Sequence, residues 1–266
     1  MAARGLSVAA AHAAGKGRPL VAKRELAREL EYTYAAVIGV AAIAALVLTG
    51  LRSPVPPWHQ LVAFAVAAFL LGSRTLRLSD TVGSVSVGFM FVFAALMELG
   101  PLGGAVVGAA SALGGALLAP DLHYRQRPLV VVTAVSNIAL AAAVSGWAYL
   151  SLHQACAEIG LTAGILPAFV VTGIYYLINS AGVCLMASPR AAQSAARLWS
   201  GSVAWTMLPF YFGGAAVVGV HLVSQALGPV VWLALIPVVL LVHFGLVLRT
   251  RARVAAQLAQ ERVPAD

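Results

Sequence analysis

From residue 34 to residue 248 the chain is a succession of long apolar stretches separated by short polar connections. Eight of them, 34–51, 58–73, 82–99, 101–119, 128–150, 162–187, 203–223 and 229–248, approach or exceed the roughly 20 residues that a helix needs to cross hydrocarbon. Runs of this kind cannot be coated in water. The chain is 61% hydrophobic and 10% charged, with a mean hydropathy of +0.91, whereas a soluble domain carries about 25% charged residues. A transmembrane barrel would alternate polar and apolar residues over segments of about ten, which these runs do not do. The expected fold is all-α: a polytopic membrane helical bundle of about eight spans (six to eight). Span 58–73 is the shortest. Span 162–187 is long and carries Pro167 near one end, which predicts a tilt or kink.

The basic residues orient the bundle. Of 17 Lys and Arg residues, all but Arg52 fall on one side when the spans are threaded in order. They sit in the N-terminal segment, at Arg74 and Arg77, at Arg125 and Arg127, at Arg190 and Arg197, and in the C-terminal tail. By the positive-inside rule both termini are expected on the cytoplasmic side, in a multi-pass protein of the cytoplasmic (inner) membrane. Trp58, Trp147, Trp205 and Trp232 lie near span ends, where interfacial anchors belong. The net charge of +8 and pI near 10.1 do not indicate nucleic acid, because the charges are scattered over alternate loops without aromatic interleaving. Anionic lipid heads are the matching partner.

Three regions follow. Residues 1–33 form a cytoplasmic leader, disordered to residue 20 and then a short amphipathic helix near Lys23–Glu31. Residues 34–248 form the transmembrane domain. Residues 249–266 form a basic cytoplasmic tail that starts helically. The segment Leu6–Ala14 is too short, and its flanking charges lie on the wrong side, for a signal peptide. Cys156 and Cys184 fall on opposite sides of the bilayer, so they are expected to pack and not to pair.

Segment 82–119 is the most distinctive. Two spans meet at the corner Glu98-Leu99-Gly100-Pro101, and the second is lined with Gly104, Gly108 and Gly115. Gly104 and Gly108 form a GxxxG, which lets another backbone approach closely. Packing inside the bundle is the expectation, with a homodimer seam as the alternative. Glu98 is the sole carboxylate of this apolar stretch, and ionisable groups in lipid are costly enough to suggest a task. Deeper in the bundle, Asn137 and Asn179 lie roughly 13 Å from the same membrane boundary on successive, oppositely directed spans. Ser136 adjoins the first, while Tyr175, Tyr176 and Ser180 extend the polar face of the second at helical spacing. This pattern fits either a polar ligand pocket or interhelical glue, and both stay open.

His221 and His243 are isolated and are expected to hydrogen-bond a neighbour. Asp121 with His123, and His153 with Glu158, supply too few ligands for a metal. No metal, cofactor or catalytic motif is expected.

The stretch Gly83-Ser84-Val85-Ser86-Val87-Gly88-Phe89, followed after an apolar run by Leu99-Gly100-Pro101-Leu102-Gly103-Gly104-Ala105, resembles the N-terminal membrane region of bacterial HD-GYP phosphodiesterases and GGDEF cyclases. That region is similar in layout to the substrate-binding components of vitamin-uptake transporters. The resemblance covers roughly residues 80–248. In that family an Asn recurs in each of two later spans, where Ser136-Asn137 and Ile178-Asn179-Ser180 fall. Those relatives usually continue into a cytoplasmic signalling domain, whereas this sequence stops at Asp266. The resemblance therefore implies a sensing or small-molecule-binding module without phosphodiesterase activity of its own.

The functional expectation is a sensor-like or solute-binding membrane module that signals through a partner chain, not an enzyme. Its ligand contacts would be Asn137, Asn179, Tyr175, Tyr176 and Ser136, with Glu98 near an outer entrance. One alternative is a transporter, or a transporter substrate-binding subunit served by an energising protein. A second alternative is an intramembrane lipid or prenyl enzyme, which the scarcity of Asp, Glu and His in the spans disfavours.

Overall fold

The computed structural model describes residues 3–73, 75–79, 83–118, 128–160, 164–191 and 193–234, with positions 236, 237, 244 and 248 beyond them. The chain order is α1 (Ala3–Arg52), α2 (Trp58–Gly72), β1 (Thr75–Ser79), β2 (Gly83–Ser86), α3 (Phe89–Leu118), α4 (Pro128–Glu158), α5 (Ile165–Ala191), a short α6 (Ala195–Leu198) and α7 (Met207–Leu227). A π-helical turn (Trp199–Val203) and a 3-10 turn (Ala204–Thr206) lead into α7, and a 3-10 turn (Pro229–Ala234) follows it. Predominantly helical structure is what apolar sequence must adopt where no water is available to satisfy backbone groups.

Five helices among the described residues are long and apolar enough to cross a membrane: Glu25–Arg52, Phe89–Leu118, Pro128–Glu158, Ile165–Pro189 and Met207–Leu227. Helix α2 is apolar but has only 15 residues, about 22 Å at 1.5 Å per residue. The expected span 229–248 falls mostly outside the described residues. So do the expected tail, the side chains of the leader before Glu25, Asp121, His123, His243 and the side chain of Trp205. The backbone of α1 is continuous from Ala3 to Arg52, with no break at the expected boundary near residue 33.

Spans 82–99 and 101–119 belong to one 30-residue element, α3, interrupted at Gly100 (φ 76°, ψ −169°). Only Gly adopts that backbone region without strain, and Pro101 then starts a helix whose first N–H would have no partner anyway. The chain doubles back here. Leu96 lies against Gly104, and Ser111 lies against Gly88. Residues 89–99 and 101–118 thus form an antiparallel helical hairpin. The first arm, 11 residues by these bounds, is about 16 Å long. It is short because residues 83–86 are not helical but pair with β1, Thr75 opposite Ser86 and Leu76 opposite Val85. This two-stranded hairpin is an addition to the otherwise helical fold that the apolar runs predict.

The α3 hairpin is the centre of the bundle. Phe89 to Leu96, Leu99, Val107 and Ala112 are buried. Small residues set the close approaches. A Cβ at Gly114 would overlap the Phe69 carbonyl of α2, and one at Gly115 would lie 3.1 Å from the Gly72 carbonyl oxygen. Gly108 faces Ile138 of α4, and Gly104 faces its own hairpin arm. The GxxxG seam is therefore used in packing within the chain.

Helices consecutive in the chain alternate in direction. Helix α1 runs parallel to α4, with Gly39 beside Ser136 and Thr49 bonded to Trp147. Helix α4 opposes the second arm of α3, with Pro101 beside Gly146 and Ile138 beside Gly108. Helix α5 opposes α4, and α7 opposes α5 through Tyr176 with Thr206 and Thr172 with Gly214. The outer surface is apolar: Val37, Val40, Ile43, Val47 and Leu48 on α1, and Phe169, Leu177 and Leu185 on α5, are exposed. In water such a surface would aggregate, whereas against lipid tails it is at no disadvantage.

Candidate functional site

The structure sorts the polar residues of the bundle into two places. The deeper one joins α4 to α5. Asn137 Nδ2 donates to Asn179 Oδ1 at 3.0 Å and to the Asn179 carbonyl at 3.1 Å. The two amides are at equal depth, as their spacing predicts. Asn137 is buried, and its Oδ1 has no hydrogen-bond partner. That oxygen lies against Gly182, where any Cβ would collide with it. The glycine thus makes room for the amide of the facing helix. Ser136 is on a different face of α4, towards Gly39 of α1, and does not join the pair.

Tyr175 and Tyr176 are each 1% exposed and belong to an aromatic core. Tyr175 packs on Phe93 with ring centroids 5.1 Å apart, and Tyr176 on Phe210 at 5.3 Å. Phe210 lies tilted over Phe89 at 4.4 Å. Thr206 Oγ1 donates to the Tyr176 hydroxyl at 3.2 Å, and Trp199 Nε1 donates to Ser180 Oγ at 3.0 Å. These bonds fasten the irregular segment before α7 to α5. The side-chain hydroxyls of Thr133 and Thr172 return to carbonyls of their own helices at 2.7 and 2.8 Å.

The second place is the hairpin corner. Glu98 lies two residues before the Gly100 break, on the last turn of the first α3 arm. This arm runs parallel to α7, with Phe89 on Phe210 at one end and Glu98 on His221 at the other. His221 Nδ1 is 2.7 Å from Glu98 Oε1, and Ser224 Oγ is 3.3 Å from the same oxygen. Ser224 has one hydroxyl proton and makes its shorter bond, 2.7 Å, to the His221 carbonyl. His221 is therefore the main partner of the carboxylate. Trp232, 7% exposed, has an indole N–H with no acceptor at bonding geometry, and it faces the same carboxylate. Its ring lies edge-on to Phe64 at 5.7 Å and tilted over His221 at 6.4 Å. Across the corner, Tyr149 stacks on His153 at 5.7 Å, and His153 Nδ1 is buried without a partner. Tyr149 is within electrostatic reach of Glu98.

Glu98 and His221 keep 22% and 17% of their side-chain surface open, so the corner is reachable; in the Asn pair, Asn137 is buried and Asn179 is partly exposed. The structure does not bring Glu98 to the Asn pair. Pro101 packs on Gly146, nine residues along α4 from Asn137, or about 13 Å. His221 was expected to bond a neighbour, and it does. That the neighbour is Glu98 is the part that sequence reasoning missed, together with Ser224 and Trp232. One signal was present: Glu98 and His221 both fall within two residues of the same-side ends of spans 82–99 and 203–223.

Among the described residues no group of three His, Cys, Asp or Glu side chains could hold a metal ion. Cys156 and Cys184 are both free and buried. No protein-family model, curated protein or solved structure matches this chain.

Proposed function

We propose that this protein is a membrane-embedded solute-binding module of the sensor type, with both termini on the cytoplasmic side of a bacterial inner membrane, which reports occupancy to a partner chain. The observation that carries this reading is the Glu98–His221 contact at the α3 corner. A carboxylate within a helical bundle is expensive, and such groups are retained where they contact a solute or proton. The corner is partly open, bordered by the aromatic rings of Trp232 and Tyr149, and built on two helices and a 3-10 turn. Occupancy that favours one packing of α7 against α3 would move the far end of α7, next to the end of α5 and the short α6, which carry Arg190 and Arg197. The Asn137–Asn179 pair then serves as the fixed joint between α4 and α5.

The test is a thermal-unfolding screen of the purified full chain in detergent against small polar solutes. One chemical class should raise the midpoint in the parent protein and not in Glu98→Gln. Absence of any stabilising solute would sink the module reading. Stabilisation lost in an Asn137→Ala/Asn179→Ala double variant but intact in Glu98→Gln would move the site to the Asn pair.

One observation favours a second reading. An ionisable residue beside a helix break is a feature of transporter substrate sites, and Glu98 beside Gly100 has that character. Solute uptake into proteoliposomes by the protein alone would select transport over sensing.

A further inference from the structure

We propose that the Glu98–His221–Trp232 corner recognises a primary ammonium group, carried either by a free amine or by an aminoethyl lipid headgroup at the membrane surface. This inference rests on the solute-binding reading above and names its ligand class.

A primary ammonium has three N–H donors and a positive charge, and in a site with little water each donor needs an acceptor. The corner offers them on one side. Glu98 supplies the negative charge and accepts from His221 through Oε1 alone. With Nδ1 donating to that oxygen, Oε2 of the same carboxylate is a second acceptor on that side. Ser224 Oγ, whose proton points to the His221 carbonyl, presents lone pairs towards Glu98 as a third. Trp232 and Phe64 add aromatic faces, which favour a nearby cation.

The buried indole N–H of Trp232 points towards Glu98 and stops short of full bonding geometry. A modest inward movement of the carboxylate, or an oxygen on the ligand two bonds from its ammonium, would supply the acceptor. An anion fits poorly, because it would meet Glu98 head-on. A neutral solute would leave the carboxylate no better compensated than before.

The corner lies where α7 ends and the chain turns at Gly228, at a helix end and not at mid-depth. A headgroup or a free amine could therefore reach it without crossing the bundle.

The experiment uses the full chain in nanodiscs of phosphatidylglycerol alone, titrated calorimetrically with ethanolamine, ethylene glycol and tetramethylammonium. Ethanolamine should bind saturably, ethylene glycol not at all, and tetramethylammonium at least about tenfold more weakly, because it has no N–H donors. Glu98→Gln should weaken ethanolamine binding at least about tenfold, equivalent to one lost charge-assisted contact. Should Glu98→Gln fail to fold, Ser224→Ala removes one acceptor while leaving the Glu98–His221 contact, and it should weaken binding severalfold.

The lipid arm replaces part of the phosphatidylglycerol with phosphatidylethanolamine or phosphatidylcholine and measures the unfolding midpoint. A rise with phosphatidylethanolamine alone, with no binding of free ethanolamine, assigns the headgroup as the source. Equal binding of ethylene glycol or tetramethylammonium overturns ammonium recognition. So does ethanolamine binding that is unchanged in both Glu98→Gln and Ser224→Ala. If other solutes stabilise the protein through this corner and no primary amine or aminoethyl lipid does, the ammonium assignment falls and the module reading stands.

Discussion

At Asn137 one side chain decides how two helices meet. Its Nδ2 makes two hydrogen bonds to Asn179, and its Oδ1 presses on a glycine. Truncation at this position would remove both bonds and leave the Asn179 side-chain oxygen without that donor. We expect Asn137→Ala to cost about 1–2 kcal/mol, the usual range for interhelical bonds in membranes plus an orphaned acceptor. Equilibrium unfolding in mixed micelles measures it. Gly182→Ala should destabilise by a similar amount or more, because the new methyl meets the amide. The two losses should not add. In the double variant the shortened side chain at position 137 vacates the space that the new methyl at position 182 needs, so the combined cost should fall below the sum. Strict additivity would show that the amide and the glycine do not share this contact. The residue types were legible in the sequence, and so was their common depth. Gly182 was not, because nothing in a single sequence marks a glycine as the seat of a side chain from 45 positions away.

At the scale of elements, the α3 hairpin holds the molecule together. Its corner was readable, since Gly followed by Pro between two apolar runs predicts a break. Gly100→Ala should cost about 1–3 kcal/mol through backbone strain at positive φ, although a Cβ there meets no atom within 4 Å. Gly114→Ala tests the opposite case, steric contact: the added methyl would overlap backbone, the Phe69 carbonyl, which cannot rotate away. We expect α2 to be pushed off α3 and a loss of at least about 2 kcal/mol, with faster hydrogen exchange confined to Trp58–Gly72 as the diagnostic. Uniform exchange across the bundle would refute that local picture. The β-hairpin was missed for an identifiable reason. Gly83-Ser84-Val85-Ser86-Val87 alternates with period two, the strand signal, but its apolar content merged it with the run that follows.

At the scale of the whole molecule, the alternating helix directions place two sets of helix ends at opposite sides of the bundle. Arg52, Trp58, Glu158 and Ile165 share a side with the Gly100 corner; Leu118, Pro128, Ala191 and Ala195 share the other. If the basic residues orient this bundle, single cysteines introduced beside the second set will react with impermeant thiol reagents only after the inner membrane is opened. Those beside the first set will react in intact spheroplasts. The opposite labelling pattern would invert the topology and place the Glu98 corner on the cytoplasmic side.

Apolar length and the scarcity of charge are properties of single segments, and each can be summed along the chain. They were enough to determine a helical membrane bundle, its corner at Gly100 and the matched depth of Asn137 and Asn179. Contacts between segments carry no such local mark. That Glu98 meets His221, that Trp232 closes over them, that Gly182 receives an amide and that the GxxxG seam faces inward depend on which helices are neighbours and how each is rotated. Apolar faces that could pack equally well in several rotations leave this open, so only the three-dimensional packing decided it.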